Sequence, residues 1–347
     1  MDSSPAYRVG VIGCGAIAMT SEDEVRKVPG YLLLPYSHGS MYARHPRTTI
    51  VAAADIDRGR LDAFGDRFGV GARYTDYRAM LAAEQLDVVS IAASTRQHHP
   101  MTLEATRHPI KGIFLEKPVA RTLREADAMI DACERAGIKV VVNHFRTFDP
   151  YYRAAKDAIE SGEIGELEGV LSTWHQGYSQ GGSHLFDLLR YVIGARVDWV
   201  FGHTDEDPSL PDPGGDAYLV FANGVRALVH MPFHSVAPAE VNFVGTAGRI
   251  TLGSFEGSRR FWKFVDKLGR TVPVESPFPV HLEGESGMST ALKELLRAIE
   301  TGEEPASTLR HGRDALEIMV ALLKSGRSRQ LVQLPVDDPD FLVDSWL

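Results

Sequence analysis

The chain has 347 residues, of which 44% are hydrophobic and 24% are charged, and its formal net charge is −9. This length predicts two domains, and the composition is typical of a folded, globular protein. The acidic balance argues against a general nucleic-acid binder or a binder of anionic membranes, because both need a basic surface. No stretch approaches the roughly 18 apolar residues of a membrane span, and no basic-then-apolar leader opens the chain, so we expect a cytoplasmic protein.

Only two cysteines occur, Cys14 and Cys133. They fall in different predicted elements and lack the spacing of metal ligands. We therefore expect two reduced thiols and no metal site, as in a reducing compartment.

The first half of the chain alternates strand and helix patterns. The clearest helix pattern runs from Thr122 to Gly137, with a capping box at Thr122 and Glu125 and a glycine stop. Such alternation predicts an α/β domain of the Rossmann type, a doubly wound parallel sheet with its ligand crevice at the carboxyl ends of the strands. The predicted strands are 7–13, 49–55, 86–94, 112–116 and 139–145.

A glycine-rich turn follows the first predicted strand. Gly13 and Gly15 begin the pattern Gly-x-Gly-x-x-Ala, which typically cradles the pyrophosphate of a dinucleotide, and Asp55 ends the next strand. A carboxylate there accepts hydrogen bonds from a ribose diol and repels a 2′-phosphate, so NAD is favoured over NADP. The alternative is a glycine turn in an unrelated sheet protein, with Asp55 as a helix cap.

The spacing within this motif is unusual. Asp55 lies 40 positions after Gly15, where roughly 20 are usual. The helix pattern expected after the glycine turn resumes only near Ser37, so we interpret Thr20–Tyr36 as an insertion. Its apolar residues, Tyr31 to Leu34, are too many for a free loop, and we expect it to fold over the cleft or the second domain and to restrict access to the nicotinamide. The alternative is a surface excursion without a role.

The second half of the chain is dominated by strand patterns. We predict a dinucleotide-binding domain over residues 1–148 and an α+β domain over 149–347, a mostly antiparallel open sheet with helices on one face. The other face would be free for substrate or another subunit, and we expect a homo-oligomer, a dimer or tetramer, formed through this sheet. The acidic stretch 203–216 is predicted to be a surface loop.

Several stretches together resemble the Gfo/Idh/MocA oxidoreductases, which include glucose–fructose oxidoreductase and inositol dehydrogenase. The resemblance covers nearly the whole chain and is carried by GVIGCGAIA, AAADID, STRQHH, FLEKPVARTLREADAMI, VVNHFRTFDPYYRAAKDAIESGEIGE, GSHLFDLLRYVIG and VGTAGRITL. The most specific motif is Glu116-Lys117-Pro118, which in this family ends a strand beside the nicotinamide ribose. The resemblance implies NAD(P)-dependent oxidation or reduction at a carbon of a sugar, cyclitol or sugar derivative.

This chemistry assigns roles to residues at the predicted crevice. Oxidation of an alcohol by hydride loss needs a base for the hydroxyl proton and positive charge near the developing carbonyl oxygen. Lys117 supplies a compact charge, and His184 matches the histidine that serves as acid/base in dehydrogenases of the family. The candidate catalytic residues are Lys117 and His184; the cofactor-binding candidates are Gly13, Gly15, Ala16, Ile17, Asp55, Ser94, Thr95, His98, Glu116 and Lys117; the substrate-binding candidates are Arg146, Trp174, His175 and Asp187.

Plainer interpretations stay open at this point. Lys117 could equally be a solvated lysine in a turn, and Arg146 could form a salt bridge at the surface. His98 and His184 could cap helices, and Trp174 could belong to the core. The chain also departs from the family at Gln180, where many members have an aspartate four residues before the histidine, which removes a carboxylate from the expected site.

Two other functions compete with the dehydrogenase. One is a sensor that binds the dinucleotide and a sugar without turnover. The other is an enzyme that keeps NAD tightly bound and uses transient oxidation to cleave a glycoside. Lys117 and His184 favour the dehydrogenase, whereas Gln180 slightly favours the sensor.

Overall fold

A computed structural model describes residues 6–27, 34–205, 212–231, 239–253, 258–278 and 285–343. The backbone groups into two compact units, residues 1–148 with 285–313, and residues 149–284 with 314–346. The segment Glu285–Arg313 thus joins the first unit, which changes the expected second domain of 149–347. The physical reason is helix α9 (Gly287–Thr301), whose buried face, including Leu292 and Leu295, belongs to the apolar core of the first unit.

The first unit contains a parallel sheet of six strands in the order β3-β2-β1-β4-β5-β6. This confirms the predicted doubly wound sheet, whose strand order reverses direction between β1 and β4. The strands are β1 (Tyr7–Ile12), β2 (Thr48–Ala54), β3 (Ala72–Tyr74), β4 (Val88–Ile91), β5 (Gly112–Leu115) and β6 (Lys139–Val142). The helices that begin in this unit, besides α9, are α1 (Ser21–Val25), α2 (His38–Arg44), α3 (Arg58–Phe68), α4 (Tyr77–Ala83), α5 (Thr95–Ala105), α6 (Leu123–Ala136) and α10 (Leu309–Ser328).

Local sequence signals explain most of these elements. Every residue of β4 and β5 is buried, as expected for strands covered on both faces. Thr122 caps α6 by accepting the N–H of Glu125 (3.1 Å), and Gly137 ends it in the left-handed conformation. The short edge strand β3 has only partly buried residues, and no alternation pattern predicted it.

Helix α2 continues in space the turn that follows the glycine motif. The carbonyl groups of Ile17 and Ala18 accept hydrogen bonds from the N–H groups of His38 (3.1 Å) and Gly39 (2.9 Å). In an uninterrupted helix they would accept from residues 21 and 22, four positions along the chain. The shift from 21 to 38 is 17 positions, which is the length of Thr20–Tyr36. Without those 17 residues, 23 of the 40 positions between Gly15 and Asp55 remain, close to the roughly 20 that are usual.

The insertion therefore leaves the first Rossmann helix after one turn and returns to it in register. It contains the short helix α1, and its last residues, from Leu34 to Tyr36, are described as well. Residues 28–33, which include the apolar side chains from Tyr31 to Leu33, lie outside the described residues.

The second unit contains a nine-stranded sheet in the order β14-β13-β12-β11-β7-β10-β9-β8-β15, in which β7 and β10 are parallel and the other pairs are antiparallel. The predicted mostly antiparallel sheet is thus confirmed. The strands are β7 (Leu167–Thr173), β8 (Val197–Thr204), β9 (Gly215–Phe221), β10 (Arg226–Met231), β11 (Glu240–Gly245), β12 (Gly248–Gly253), β13 (Arg259–Asp266), β14 (Thr271–Ser276) and β15 (Val332–Gln333). Its helices are α7 (Pro150–Glu160), α8 (Gly182–Ile193) and residues 314–328 of α10, and a π-helical turn (Gly177–Gly181) precedes α8. Within the described ranges, no helix of either unit is both long and apolar enough to cross a bilayer.

Candidate active site

The glycine turn after β1 has the geometry of a phosphate-binding loop. Gly13 has a φ of +90°, and a Cβ there would lie 2.7 Å from the carbonyl carbon of Ala92. Gly15 faces open space, with no heavy atom within 4 Å of the position a Cβ would take. Among the described residues, the N–H groups of Gly15, Ala16 and Ile17 donate no backbone hydrogen bond. This turn therefore offers unshielded N–H groups and room for a bound anion to approach the backbone.

Asp55 lies beside this turn at the end of β2. Its Oδ2 accepts the N–H of Cys14 (2.7 Å), and its Oδ1 accepts the N–H of Asp57 (2.8 Å). Asp57, not Asp55, caps helix α3, which removes the alternative of Asp55 as a helix cap. A carboxylate has about four acceptor positions, so two remain for a ribose diol.

A cleft of about 620 Å³ opens at this edge of the sheet. It is lined from one side by Gly13, Gly15 and Asp55, and from the other by Ser94, the N-cap residue of α5. The 93% exposed side chain of Ile56 gives its wall an apolar patch. An anion-binding backbone, a carboxylate and an apolar wall are suited to pyrophosphate, ribose and adenine, so these residues fit the ADP portion of NAD.

The end of β5 is fixed by a buried polar network around Glu116. Its Oε1 accepts the Nδ2–H of Asn143 (2.6 Å) and lies 2.9 Å from Nε2 of His38, while its Oε2 accepts the N–H of Lys117 (3.2 Å). His38 is fully buried, and its Nδ1 lies 2.7 Å from Oγ of Ser90. Burial alone would raise the pKa of Glu116, but His38, the charge of Lys117 and Asn143 together lower it to about 2. Glu116 is thus an ionised group that faces the protein and holds the backbone of Lys117.

Lys117 and Arg146 lie at the ends of the adjacent strands β5 and β6. Lys117 is partly exposed, whereas Arg146 is 7% exposed, with its guanidinium carbon 4.7 Å from the centre of the Phe145 ring. Within the described chain, nothing donates a hydrogen bond to the buried Oδ1 of Asn143. The structure therefore brings two candidate cations and an unused acceptor atom to neighbouring strand ends.

His98 differs from its expected role as a cofactor contact. The side chain is 0% exposed, and its ring nitrogens lie 2.8 Å from the carbonyl oxygen of Pro118 and 3.1 Å from that of Ala93. Burial lowers its pKa, and its bonds to Ala93 and Pro118 oppose that shift. His98 is neither a helix cap nor open to a ligand. It joins the loop after Lys117 to the loop after β4.

In the second unit, His184 lies in the first turn of α8 and is 7% exposed. His175 is partly exposed and stacks on Trp174, with ring centres 6.3 Å apart. Two other substrate candidates are corrected by burial. Trp174 is 1% exposed and donates its indole N–H to the carbonyl of Gly181 (3.0 Å), so it supports the π-helical turn. Asp187 is 0% exposed and forms an ion pair with Arg190 (3.2 Å).

Asp212 is a residue that sequence reasoning missed, because it lies in the acidic stretch expected to be a surface loop. It is 1% exposed, and its two carboxylate oxygens accept the N–H groups of Ser179 (2.8 Å) and Gln180 (2.7 Å). A buried carboxylate therefore stabilises the turn that leads into His184, although Gln180 itself carries no charge. No local pattern in the sequence distinguishes Asp212 from its acidic neighbours.

Comparisons with known proteins agree with this geometry. The sequence profile of the "Oxidoreductase family, NAD-binding Rossmann fold" matches residues 7–144, and that of the "GFO/IDH/MocA C-terminal domain" matches residues 152–251. D-apiose dehydrogenase of Paraburkholderia graminis is 41% identical over 46% of this chain and 38% of its own length. The scyllo-inositol 2-dehydrogenase (NAD⁺) of Bacillus subtilis is 26% identical over 91% of this chain and 98% of its own.

The chain spans 62% of the length of one curated relative that it matches and 38% of the length of another. Among solved structures, an oxidoreductase from Agrobacterium radiobacter in complex with NAD⁺, L-tartaric acid and magnesium aligns with a TM-score of 0.74 at 21% identity, over 94% of this chain and 98% of that one. This likeness shows the shared fold. The two matched profiles cover most of the chain, which therefore belongs to the Gfo/Idh/MocA family of NAD-binding oxidoreductases.

Proposed function

We propose that the chain is an NAD-dependent dehydrogenase that transfers a hydride between nicotinamide and a CH–OH carbon of a sugar, cyclitol or sugar derivative. The proposal rests on one observation about the first sheet. The cleft lined by Gly15 and Asp55 opens at the carboxyl ends of its strands, and Lys117 and Arg146 follow the carboxyl ends of β5 and β6 in the same sheet. NAD, when bound, supplies the hydride acceptor. The relatives named for inositol and apiose support a polyhydroxylated substrate.

The proposed roles follow from the chemistry of each side chain. Lys117 donates a hydrogen bond to the reacting oxygen and neutralises the charge that develops there. Arg146 donates to neighbouring hydroxyl oxygens, while the unused Oδ1 of Asn143 is an acceptor for a substrate hydroxyl or the nicotinamide amide. His184 takes the hydroxyl proton during oxidation and returns it during reduction, because imidazole titrates near neutral pH.

Asp55 makes NAD the preferred coenzyme. Its carboxylate is held by two backbone N–H groups and so cannot turn away from the ribose. A 2′-phosphate in its place would bring a second negative charge against a fixed one, at a cost that water only partly screens.

The open face of the second sheet supports a homo-oligomer. Leu171 on β7, Leu228 on β10 and Phe201 on β8 are 49%, 52% and 45% exposed and border a groove of about 400 Å³. Contiguous exposed apolar residues of this kind are typical of protein interfaces, and a second copy of this sheet is the proposed occupant. Light scattering of the wild type and of Leu228→Asp tests this, with a smaller assembly expected for the variant.

Both thiols are consistent with a reducing cytoplasm. Cys14 and Cys133 are buried and unpaired with each other, and burial raises the pKa of each to about 12, so neither is reactive.

An initial-rate screen tests the proposed activity. The purified chain is mixed with NAD or NADP and with myo-inositol, scyllo-inositol, D-apiose or D-glucose, and NAD(P)H formation is followed by absorbance. We expect reduction of NAD by at least one polyol, slower reduction of NADP, and a large loss of rate in Lys117→Ala. Binding of NAD and a polyol without reduction would instead favour the sensor.

A further inference from the structure

The carboxyl end of the insertion is fixed by one buried carboxylate. Glu22 in α1 is 1% exposed; its Oε2 accepts the N–H of Tyr36 (3.1 Å), and its Oε1 pairs with Arg26 and with Arg44 (2.7 Å). The next residue, Ser37, caps α2. Glu22 therefore links helix α1, near the start of the insertion, to Tyr36 at its end, and this hydrogen bond fixes the backbone of Tyr36.

The side chain of Tyr36 lies at the strand ends that carry the candidate site. Its ring meets the Phe145 ring edge to face, with centres 5.3 Å apart and planes at 79°. The same Phe145 ring lies 4.7 Å from the guanidinium carbon of Arg146. Two residues along the chain from Tyr36, His38 is bonded to Glu116, the neighbour of Lys117. Tyr36 thus packs on the residue pair that follows β6, and the helix that begins two residues later contacts the end of β5.

We propose that Tyr36 is a substrate-contacting residue, whose phenol forms a hydrogen bond with a hydroxyl group of the polyol other than the one that is oxidised. The inference rests on the proposed function and extends it, because it makes the insertion a determinant of substrate choice.

The chemistry of the site supports a binding role for this phenol. Lys117 and Arg146 can only donate hydrogen bonds, whereas a phenol both donates and accepts, as a polyol hydroxyl does. Burial raises the pKa of Tyr36 to about 12, with Arg146 lowering it and Glu116 raising it further. The phenol is therefore protonated at neutral pH, which suits it to binding and not to the removal of a proton.

Two phenylalanine variants of the full chain test the proposal. Tyr36→Phe keeps the ring packed on Phe145 and removes only the hydroxyl. Tyr7→Phe is the matched control, since the Tyr7 hydroxyl donates to Glu300 (2.9 Å) at the start of β1, the opposite edge of the sheet. Each variant is loaded with NAD and compared with the wild type for KM, kcat and calorimetric Kd on myo-inositol, scyllo-inositol, D-apiose and D-glucose. The best of these is then replaced by its monodeoxy analogues.

We expect Tyr36→Phe to raise KM and Kd of the best polyol by about 3- to 10-fold, the usual worth of one hydrogen bond. Its kcat should change by less than about twofold, its NAD affinity should stay unchanged, and Tyr7→Phe should behave as the wild type. For one monodeoxy analogue the difference between wild type and Tyr36→Phe should vanish, because the partner hydroxyl is gone.

An unchanged KM in Tyr36→Phe would overturn the inference while the dehydrogenase stands. So would an equal rise for the parent polyol and all its analogues, which would make Tyr36 a packing residue. If the wild type binds NAD but neither oxidises nor binds any of the four polyols, the proposed function itself fails, and this inference fails with it.

Discussion

His38 and Glu116 lie 78 positions apart in the chain, and their side chains meet at 2.9 Å inside the first unit. His38 begins the helix that resumes after the insertion, and Glu116 ends the strand that carries Lys117. The contact exists only because the insertion returns to the first helix in register. It therefore joins the glycine turn, the insertion and the candidate catalytic lysine in one buried network.

Glu116 should make the folded state sensitive to acid. Its pKa is about 2 in the folded chain against an ordinary 4.5, so its stabilising effect is present above pH 4.5 and is lost as the pH falls through this window towards 2. We expect the urea midpoint of the wild type to fall more steeply across this window than that of Glu116→Gln. Glu163→Gln, at a half-exposed ion pair with Lys263, is the control. Parallel acid profiles for the wild type and Glu116→Gln would contradict the assignment.

A deletion of residues 20–36 should leave the Rossmann helix intact. It removes 17 residues, so His38 takes the position of residue 21 and keeps its bond to the Ile17 carbonyl. We propose that the insertion restricts access to the nicotinamide, so we expect a folded protein that still binds NAD, releases it faster and, without Tyr36, binds polyols more weakly.

A deletion of residues 20–34 is its matched control. It is two residues shorter and would turn His38 about 200° around the helix axis, away from Glu116. Circular dichroism and thermal unfolding should show a folded protein for the first deletion and a strongly destabilised one for the second. Equal stability of the two variants would contradict the continuity of the first helix from Ile17 to His38.

The sequence predicted the sheet and the loop chemistry well because those signals are local. Buried strands read as apolar runs, and Gly13 and Thr122 occupy positions that backbone geometry dictates. Prediction from the sequence failed where the role of a side chain depends on residues that are distant in the chain. His98 and Trp174 have the residue types of ligand-binding side chains, yet each is buried and bonded to a backbone carbonyl. Glu285–Arg313 joins the first unit because α9 finds its apolar partner there, which no local pattern encodes.

Asp55 should control the choice of coenzyme. Asp55→Ala removes the acceptor for the ribose diol and the repulsion of a 2′-phosphate, so we expect weaker NAD binding, by about 10-fold, and stronger NADP binding. Asp57→Asn is the control, because asparagine caps a helix as well as aspartate. Fluorescence titration of the wild type and both variants with each coenzyme gives the six affinities. An unchanged NAD-to-NADP ratio in Asp55→Ala would exclude Asp55 as the selector.

Asp212 should support His184 through the turn that precedes α8. Asp212→Ala leaves the N–H groups of Ser179 and Gln180 without their acceptor, so we expect a fall in kcat of about 10-fold with NAD affinity unchanged. His184→Ala should lose about 10²- to 10⁴-fold, the range of a positioned acid/base. A wild-type kcat in Asp212→Asn would show that an acceptor oxygen at this position is sufficient and that the charge is not required. A wild-type kcat in Asp212→Ala would show that His184 does not depend on Asp212.

Hydride transfer from the polyol carbon to NAD is tested most directly by a single turnover of the NAD-loaded chain, in excess over a polyol that carries deuterium at the oxidised carbon. We predict stoichiometric formation of NADH, slower with the deuterated than with the unlabelled polyol, and transfer of the deuterium to the nicotinamide ring. Saturating polyol binding with no NADH formed, or NADH without deuterium, would contradict a hydride transfer from the polyol carbon.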